Sequence, residues 1–252
     1  MRLQKIVAAV RDTPGGLAAL EAGAELAAAS GGGFTALTIL SDPWDKAEPK
    51  ALAGHRHAVR FGVPSVEIAR WAEMEHADLI VLGHDAGPLR PAIDGTLRRA
   101  RVPCLVVTPG THRPRLVAAA VDASPDASDV LQGAFAVGRV YGAEAVALHV
   151  EPGAPEMSWS RRRTRHDAEQ VAAAVASAWE GGDRGGNTAV APCDVVVRQG
   201  DPATEILVAA EEDALDLIVL GQDHGHAHGL AARIAPRLLA LPGRALLTIP
   251  LR

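Results

Sequence analysis

"ADLIVLGHDAG" spans Ala77–Gly87 and "LDLIVLGQDHG" spans Leu215–Gly225, so the segment Asp-Leu-Ile-Val-Leu-Gly is written twice in one chain. Each copy is an unbroken apolar run that enters a glycine and then a polar loop. A short apolar run bounded by turn residues is the pattern of a strand covered on both faces, as in parallel sheets. The surrounding segments repeat in the same order. "KIVAAVRDTPGGLAALEAGAELA" (Lys5–Ala27) parallels "LVAAAVDASPDASDVLQGAFAVG" (Leu116–Gly138), and "FTALTIL" (Phe34–Leu40) parallels "AVALHV" (Ala145–Val150). "FGVPSVEIARWAE" (Phe61–Glu73) parallels "QGDPATEILVAAE" (Gln199–Glu211), and "PCLVVTP" (Pro103–Pro109) parallels "RALLTIP" (Arg244–Pro250). The chain therefore reads as an internal duplication.

Apolar strands alternating with helical patterns give each half about five strands in β-α-β succession, which predicts an α/β fold with a parallel sheet. Thr13-Pro14 and Ser124-Pro125 each predict a helix N-cap followed by proline at the first helical position. The polar "TPGTHRPR" (Thr108–Arg115) predicts the join, dividing the chain into domains 1–110 and 111–252. The halves are unequal: Arg11 to Asp78 is 67 residues, whereas Asp122 to Asp216 is 94. The extra length lies between the second and third strands, so the first half's second helix is expected to be short or absent.

Composition narrows the function classes. The chain has 252 residues, 48% hydrophobic and 3% aromatic, so its cores must be built mainly from Ala, Val, Leu and Ile. A net charge of −5 gives no electrostatic reason to expect nucleic acid or an anionic membrane as partner. The basic run "RRRTRH" (Arg161–His166) sits in a helical pattern and reads as a solvated face. No apolar run reaches the ~18 residues of a membrane span, and the N-terminus leads directly into a strand pattern. Cys104 and Cys193 are single thiols with no metal-like spacing. These features predict a soluble, cytoplasmic protein.

In an open parallel sheet a ligand sits at the carboxyl ends of the strands, where the strand order reverses. Neither half carries G-x-G-x-x-G after its first strand, nor a G-x-x-x-x-G-K-[ST] loop, so dinucleotide and P-loop readings are weak. The order of "LVAAAVDAS", "ALHVEP", "GDPATEIL", "DLIVLG" and a closing "LVVTP" resembles the universal stress protein family in its tandem form, over essentially the whole chain. The resemblance implies an adenine-nucleotide-hydrolase-like, Rossmann-like fold: two five-stranded parallel sheets of order 3-2-1-4-5, paired through the last strand as an intramolecular pseudo-dimer. A further homodimer stays open.

For the nucleotide-binding branch, the resemblance implies an Asp after the first strand that meets adenine, backbone after the second strand, and a G-x2-G-x9-G-[ST] loop after DLIVLG for ribose and phosphates. In the second half Asp122 with Ala123, Val150 and Gly221 match and the loop carries Gly225 and Gly229, but no Gly-Ser/Thr pair follows, and Ala232 and Arg233 fall near that position. In the first half Arg11 replaces the Asp, with Asp12 one place out of register. Gly83 is kept, Gly87 is one place late, and Gly95-Thr96 one place early; counting back from "PCLVV" puts Arg90-Pro91 there instead. The second half thus keeps the adenine end, and the first half part of the phosphate end.

Each residue has a plainer reading. Asp122 is an adenine acceptor or a polar strand end that caps a helix. Gly83 and Gly221 let backbone approach a phosphate or only ease a turn. His224, His226 and His228 in "DHGHAH" are zinc ligands, with Asp122 and His149 on the same sheet edge as contributors, or an exposed loop. No G-x-S-x-G elbow, Cys/His pair, convergent carboxylates or S-G-G-x-D-S loop is present, so an enzyme is not expected beyond slow ATP hydrolysis. The expectation is a regulatory module that binds ATP in its second half. The alternatives are a module acting only through protein partners, or a metal-binding protein.

Overall fold

Asp78 and Asp216, the first letters of the repeated segment, fix where the first strand of each half begins. Asp78 Oδ2 accepts the N–H groups of Gln4 and Lys5, both at 2.9 Å. Asp216 Oδ2 accepts those of Arg115 and Leu116 at 2.8 and 3.1 Å. One carboxylate thus satisfies two backbone donors at the start of the neighbouring strand, where no sheet partner reaches them. The structure, a computed structural model, describes residues 1–41, 52, 54–85, 91–151, 167, 169–178, 193–222 and 230–251.

The first half contains β1 (Lys5–Ala9), α1 (Pro14–Ser30), β2 (Gly33–Leu40), β3 (His57–Phe61), α2 (Pro64–Met74), β4 (Leu79–Gly83), α3 (Pro91–Arg99) and β5 (Cys104–Val107). The second contains β6 (Leu116–Val121), α4 (Ala127–Tyr141), β7 (Glu144–Glu151), α5 over residues 169–178, β8 (Asp194–Gln199), α6 (Pro202–Glu212), β9 (Leu217–Gln222), α7 (Leu230–Leu238) and β10 (Ala245–Pro250). The strands form one sheet of ten in the order β3-β2-β1-β4-β5-β10-β9-β6-β7-β8. All pairs are parallel except β5 with β10, where Leu105 faces Leu247 in antiparallel register. Each half has the order 3-2-1-4-5, and the halves join through their last strands.

Pleat alternation sends successive residues of the repeated strands to opposite cores. Leu79, Val81, Leu217 and Val219 pack with α1, α4 and α5 on one face. Ile80, Leu82, Ile218 and Leu220 pack with α2, α3, α6 and α7 on the other. All eight are buried, each worth about 1.5–3 kcal/mol in transfer free energy. This is why the strand admits no polar residue between its Asp and its Gly.

The two β-to-α entries differ. Thr13 caps α1, its side chain accepting from the Gly16 N–H at 3.1 Å, with Pro14 at the first turn. Ser124 does not cap α4, contrary to the sequence expectation. Asp122 Oδ1 takes the Ser124 N–H at 3.2 Å, Ser124 and Pro125 form a turn, and the helix starts at Ala127. The Asx turn begins a tight turn that carries the chain past Ser124 before the helix starts, so the Ser124 side chain does not stand at the N-cap position. The short or absent second helix of the first half, the Arg161–His166 run, Gly87, Gly225, Gly229, His224, His226 and His228 lie outside the described residues. Among the described residues no helix is long and apolar enough to cross a membrane.

Candidate functional site

The strand order of the second half reverses between β6 and β9, and a cavity of about 520 Å³ opens there at their carboxyl ends. That size suits a small-molecule ligand. Its floor and inner wall are Ala120 and Val121 of β6, Leu148 and Val150 of β7, and Gly221 and Gln222 of β9. Asp122, Ser124 and Asp126 of the β6–α4 turn, Pro202 and Ile206 of α6, and Leu230 and Arg233 of α7 surround it. Asp94, Leu97 and Arg98 of α3, from the first half, form the remaining side.

Of the residues singled out in the sequence, Asp122, Val150 and Gly221 line this cavity. Asp122 is solvent-exposed, and Ala123 lies in the turn beside it without being part of the lining. His149 is elsewhere. Pleat alternation turns it to the face opposite Val150, where it is buried with Nδ1 2.9 Å from the Val121 carbonyl oxygen. It therefore does not join Asp122 in a ligand set. Among the described residues no group of three or more His, Cys, Asp or Glu side chains could hold a metal ion. The glycines and histidines of the loop after β9 lie outside the described residues, apart from Gly221 and Gln222.

The charges at the mouth are mostly paired. Arg233 Nη2 binds both oxygens of Asp201, at 2.9 and 3.0 Å, and Asp201 also caps α6 by accepting the Thr204 N–H at 3.1 Å. The Arg233 guanidinium, followed by that cap, holds the Asp201 carboxyl below the usual carboxylate range. This pair ties α7 to α6 across the rim. Arg98 pairs with Asp94 one helical turn back. Gln222 donates from Nε2 to the Leu97 carbonyl oxygen at 2.6 Å, fixing α3 against the end of β9. None of the three α3 residues was visible as a site residue in the sequence, because only the β5–β10 pairing brings that helix here.

The equivalent position in the first half is nearly filled, with about 60 Å³ left between Arg11, Gly83, Asp85 and their neighbours. A methyl group placed on Gly83 would stand 1.8 Å from the Gly15 carbonyl oxygen, so the β1–α1 loop rests directly on the end of β4. Asp85 Oδ1 accepts the Gly15 N–H at 2.6 Å, which puts a carboxylate at the amino end of α1, where an anionic ligand would otherwise sit. The phosphate end expected to survive in the first half is occupied by the chain itself. Gly95 and Thr96 are inside α3: a methyl on Gly95 would meet Ser65 of α2 at 2.8 Å, and Thr96 Oγ1 donates to the Ala92 carbonyl at 2.7 Å. They serve helix packing.

Comparison with known proteins agrees with this architecture. Residues 115–235 match the model of the universal stress protein family. A universal stress protein from Archaeoglobus fulgidus superposes with a TM-score of 0.67 at 18% identity, over 98% of this chain and 98% of that one. A functionally unknown protein from Pseudomonas aeruginosa PAO1 gives a TM-score of 0.67 at 16% identity, over 98% of this chain and 92% of that one. At such identities the two structures speak for the fold alone. No curated protein matches the chain. Residues 115–235, most of the second half, are thus similar to the universal stress protein family, and the first half repeats the same strand topology.

Proposed function

We propose that the protein is a ligand-responsive regulatory module that binds one adenine nucleotide, ATP in the first instance, in its second half. Residues 1–110 form a unit whose site is closed, and residues 111–252 form the unit that binds. The observation that carries the reading is the contrast between cavities of about 520 and 60 Å³ at equivalent positions of the two halves. Asp122 supports the adenine end. Its Oδ1 is engaged by Ser124, and the second carboxylate oxygen accepts the purine amino group, while Val150 and Ile206 give the ring apolar contact. Arg11, at the same position of the first half, has only donors and cannot do this. Gly221, at the cavity wall, is where the ribose and phosphates would pass, and Gly225 and Gly229 are assigned to them from the sequence resemblance alone.

The chemistry assigned is binding without catalysis. Binding energy that rigidifies the β6–α4 turn would be passed to a protein partner as a population shift. The test is direct: denature the purified protein, analyse the supernatant for nucleotides by chromatography, and titrate ATP into the emptied protein. Co-purified nucleotide, or ATP binding weakened about tenfold or more by Asp122→Ala, is expected, given the worth of a hydrogen bond to a charged group. No nucleotide and no binding at millimolar ATP would overturn the reading.

A further inference from the structure

The second half lacks the Gly-Ser/Thr pair that its family resemblance associates with phosphates, yet its cavity is closed on that side by a helix from the other half. The geometry of the junction explains how. Because β5 and β10 are antiparallel, the carboxyl ends of the two halves' strands point to opposite edges of the common sheet. α3 runs from the carboxyl end of β4 back to the start of β5. Its last turn, Leu97–Arg99, therefore arrives at the carboxyl edge of the second half, and the Gln222–Leu97 hydrogen bond locks it there. Sheet order then sets the direction of the cavity. Asp122 and Val150 stand on the β6–β7 side of Gly221, and Arg98 stands on the β10 side.

Arg98 also lines a second, more open groove of about 730 Å³, together with Arg99 and Arg101. The only carboxylate among that groove's described lining residues is Asp129. Three guanidinium groups against one carboxylate make it locally positive, in a chain whose net charge is −5. Inside the cavity the balance is different, with Asp94, Asp122 and Asp126 beside Arg98 and Arg233. Arg233 is committed to both oxygens of Asp201, itself a helix cap, so moving it would loosen α6. Arg98 has its partner Asp94 on its own helix, and its side chain is 51% exposed. A guanidinium carries five N–H donors, and one this exposed can reach a phosphate with its carboxylate pair kept.

We infer that the ligand site is a composite of the two halves, in which Arg98 of the first half is the phosphate-recognition residue for a nucleoside polyphosphate held in the second half. The inference rests on the nucleotide reading above and adds the residue that selects for phosphate. The phosphate chain leaves the cavity past Gly221 and Gln222 and extends toward Arg99 and Arg101. A helix of one half would then report ligand occupancy of the other, since α3 bears on the site and on the β5–β10 junction alike.

The test is calorimetric titration of the full chain with ATP, ADP, AMP, adenosine and inorganic tripolyphosphate, for the wild type, Arg98→Gln and Arg98→Lys. The wild type should bind more tightly as phosphates are added. In R98Q the ATP affinity should fall about tenfold or more while adenosine binding and the thermal midpoint stay unchanged, and R98K should recover part of the loss. Unchanged ATP affinity in R98Q, or an equal loss for adenosine, would overturn the inference and leave the nucleotide reading intact. Tripolyphosphate binding that R98Q abolishes, without any adenosine binding, would support the arginine site and overturn the adenine assignment. A wild type that binds neither ATP nor tripolyphosphate at millimolar concentration would overturn both.

Discussion

Replacing the same glycine in the two copies of the repeated strand should have opposite consequences. In Gly83→Ala the new methyl would lie 1.8 Å from the Gly15 oxygen and 2.2 Å from its carbon, both backbone atoms. Relief requires the β1–α1 loop to lift by more than about 1 Å, since ordinary contact begins near 3.5 Å. Lifting it stretches the 2.6 Å bond from the Gly15 N–H to Asp85 and disturbs the Thr13 cap. Overpacking costs about 1–3 kcal/mol and the charge-assisted bond about 1.5 kcal/mol more, offset by about 0.5–1 kcal/mol from the stiffer unfolded chain. The net loss is about 3 kcal/mol, or roughly 6–12 °C in the thermal midpoint for a chain of this size. In Gly221→Ala the nearest atoms to the methyl belong to the Leu251 side chain, from 2.9 Å, which can rotate. Its cost in stability should stay below about 1 kcal/mol. Its effect should instead appear in ATP affinity, which Gly83→Ala leaves alone. Thermal and urea unfolding followed by circular dichroism, with ATP titration of each variant, measures both. Equal destabilisation by the two substitutions, or a Gly83→Ala protein within about 1 kcal/mol of the wild type, would refute the reasoning.

Asp78→Ala and Asp216→Ala should each cost about 1–3 kcal/mol, because each leaves two strand-initiating N–H groups without their carboxylate, and urea midpoints will read the loss. Burial pushes the thiols of Cys104 and Cys193 and the hydroxyl of Tyr141 up to about 12. The folded state therefore holds protons there that the unfolded state releases from about pH 9–10 upward, so stability is complete below pH ~9 and falls as pH rises toward 12. Thermal midpoints measured across that range should drop, less steeply in Cys104→Ala, and neither thiol should react quickly with a thiol reagent at neutral pH. Arg198→Ala removes the group that meets Glu205, Glu212 and Asp213 at 3.7, 2.9 and 3.1 Å, and should cost about 1 kcal/mol at low salt and less at high salt.

What was legible in the sequence was whatever one element writes by itself. DLIVLG reads as a strand covered on both faces because its four central residues are all apolar, and the structure sends them alternately into two cores. The duplicated order of strands and helices gave the two-fold repetition, and the resemblance supplied the strand order. Its Asp was not legible as a staple, since the Gln4 and Lys5 N–H groups it satisfies lie more than seventy positions away. The Ser124-Pro125 pair misled because the competing Asx turn from Asp122 has the same local composition as a cap. His149 reads correctly as lying at the sheet edge that Asp122 shares, but a strand-end position does not say which face a side chain takes, and the pleat turns this one into the core. Arg98 was missed altogether: its place in the cavity depends on an antiparallel join between the two last strands, which no local pattern encodes.

The central claim is that two copies of one fold share one chain, with the nucleotide site open in the second and closed in the first. Counting bound nucleotide settles it most directly, by native mass spectrometry of the full chain in saturating ATP, beside Asp122→Ala. One ATP per chain, lost in Asp122→Ala, is the predicted result. Two per chain, none, or one that survives Asp122→Ala would contradict it.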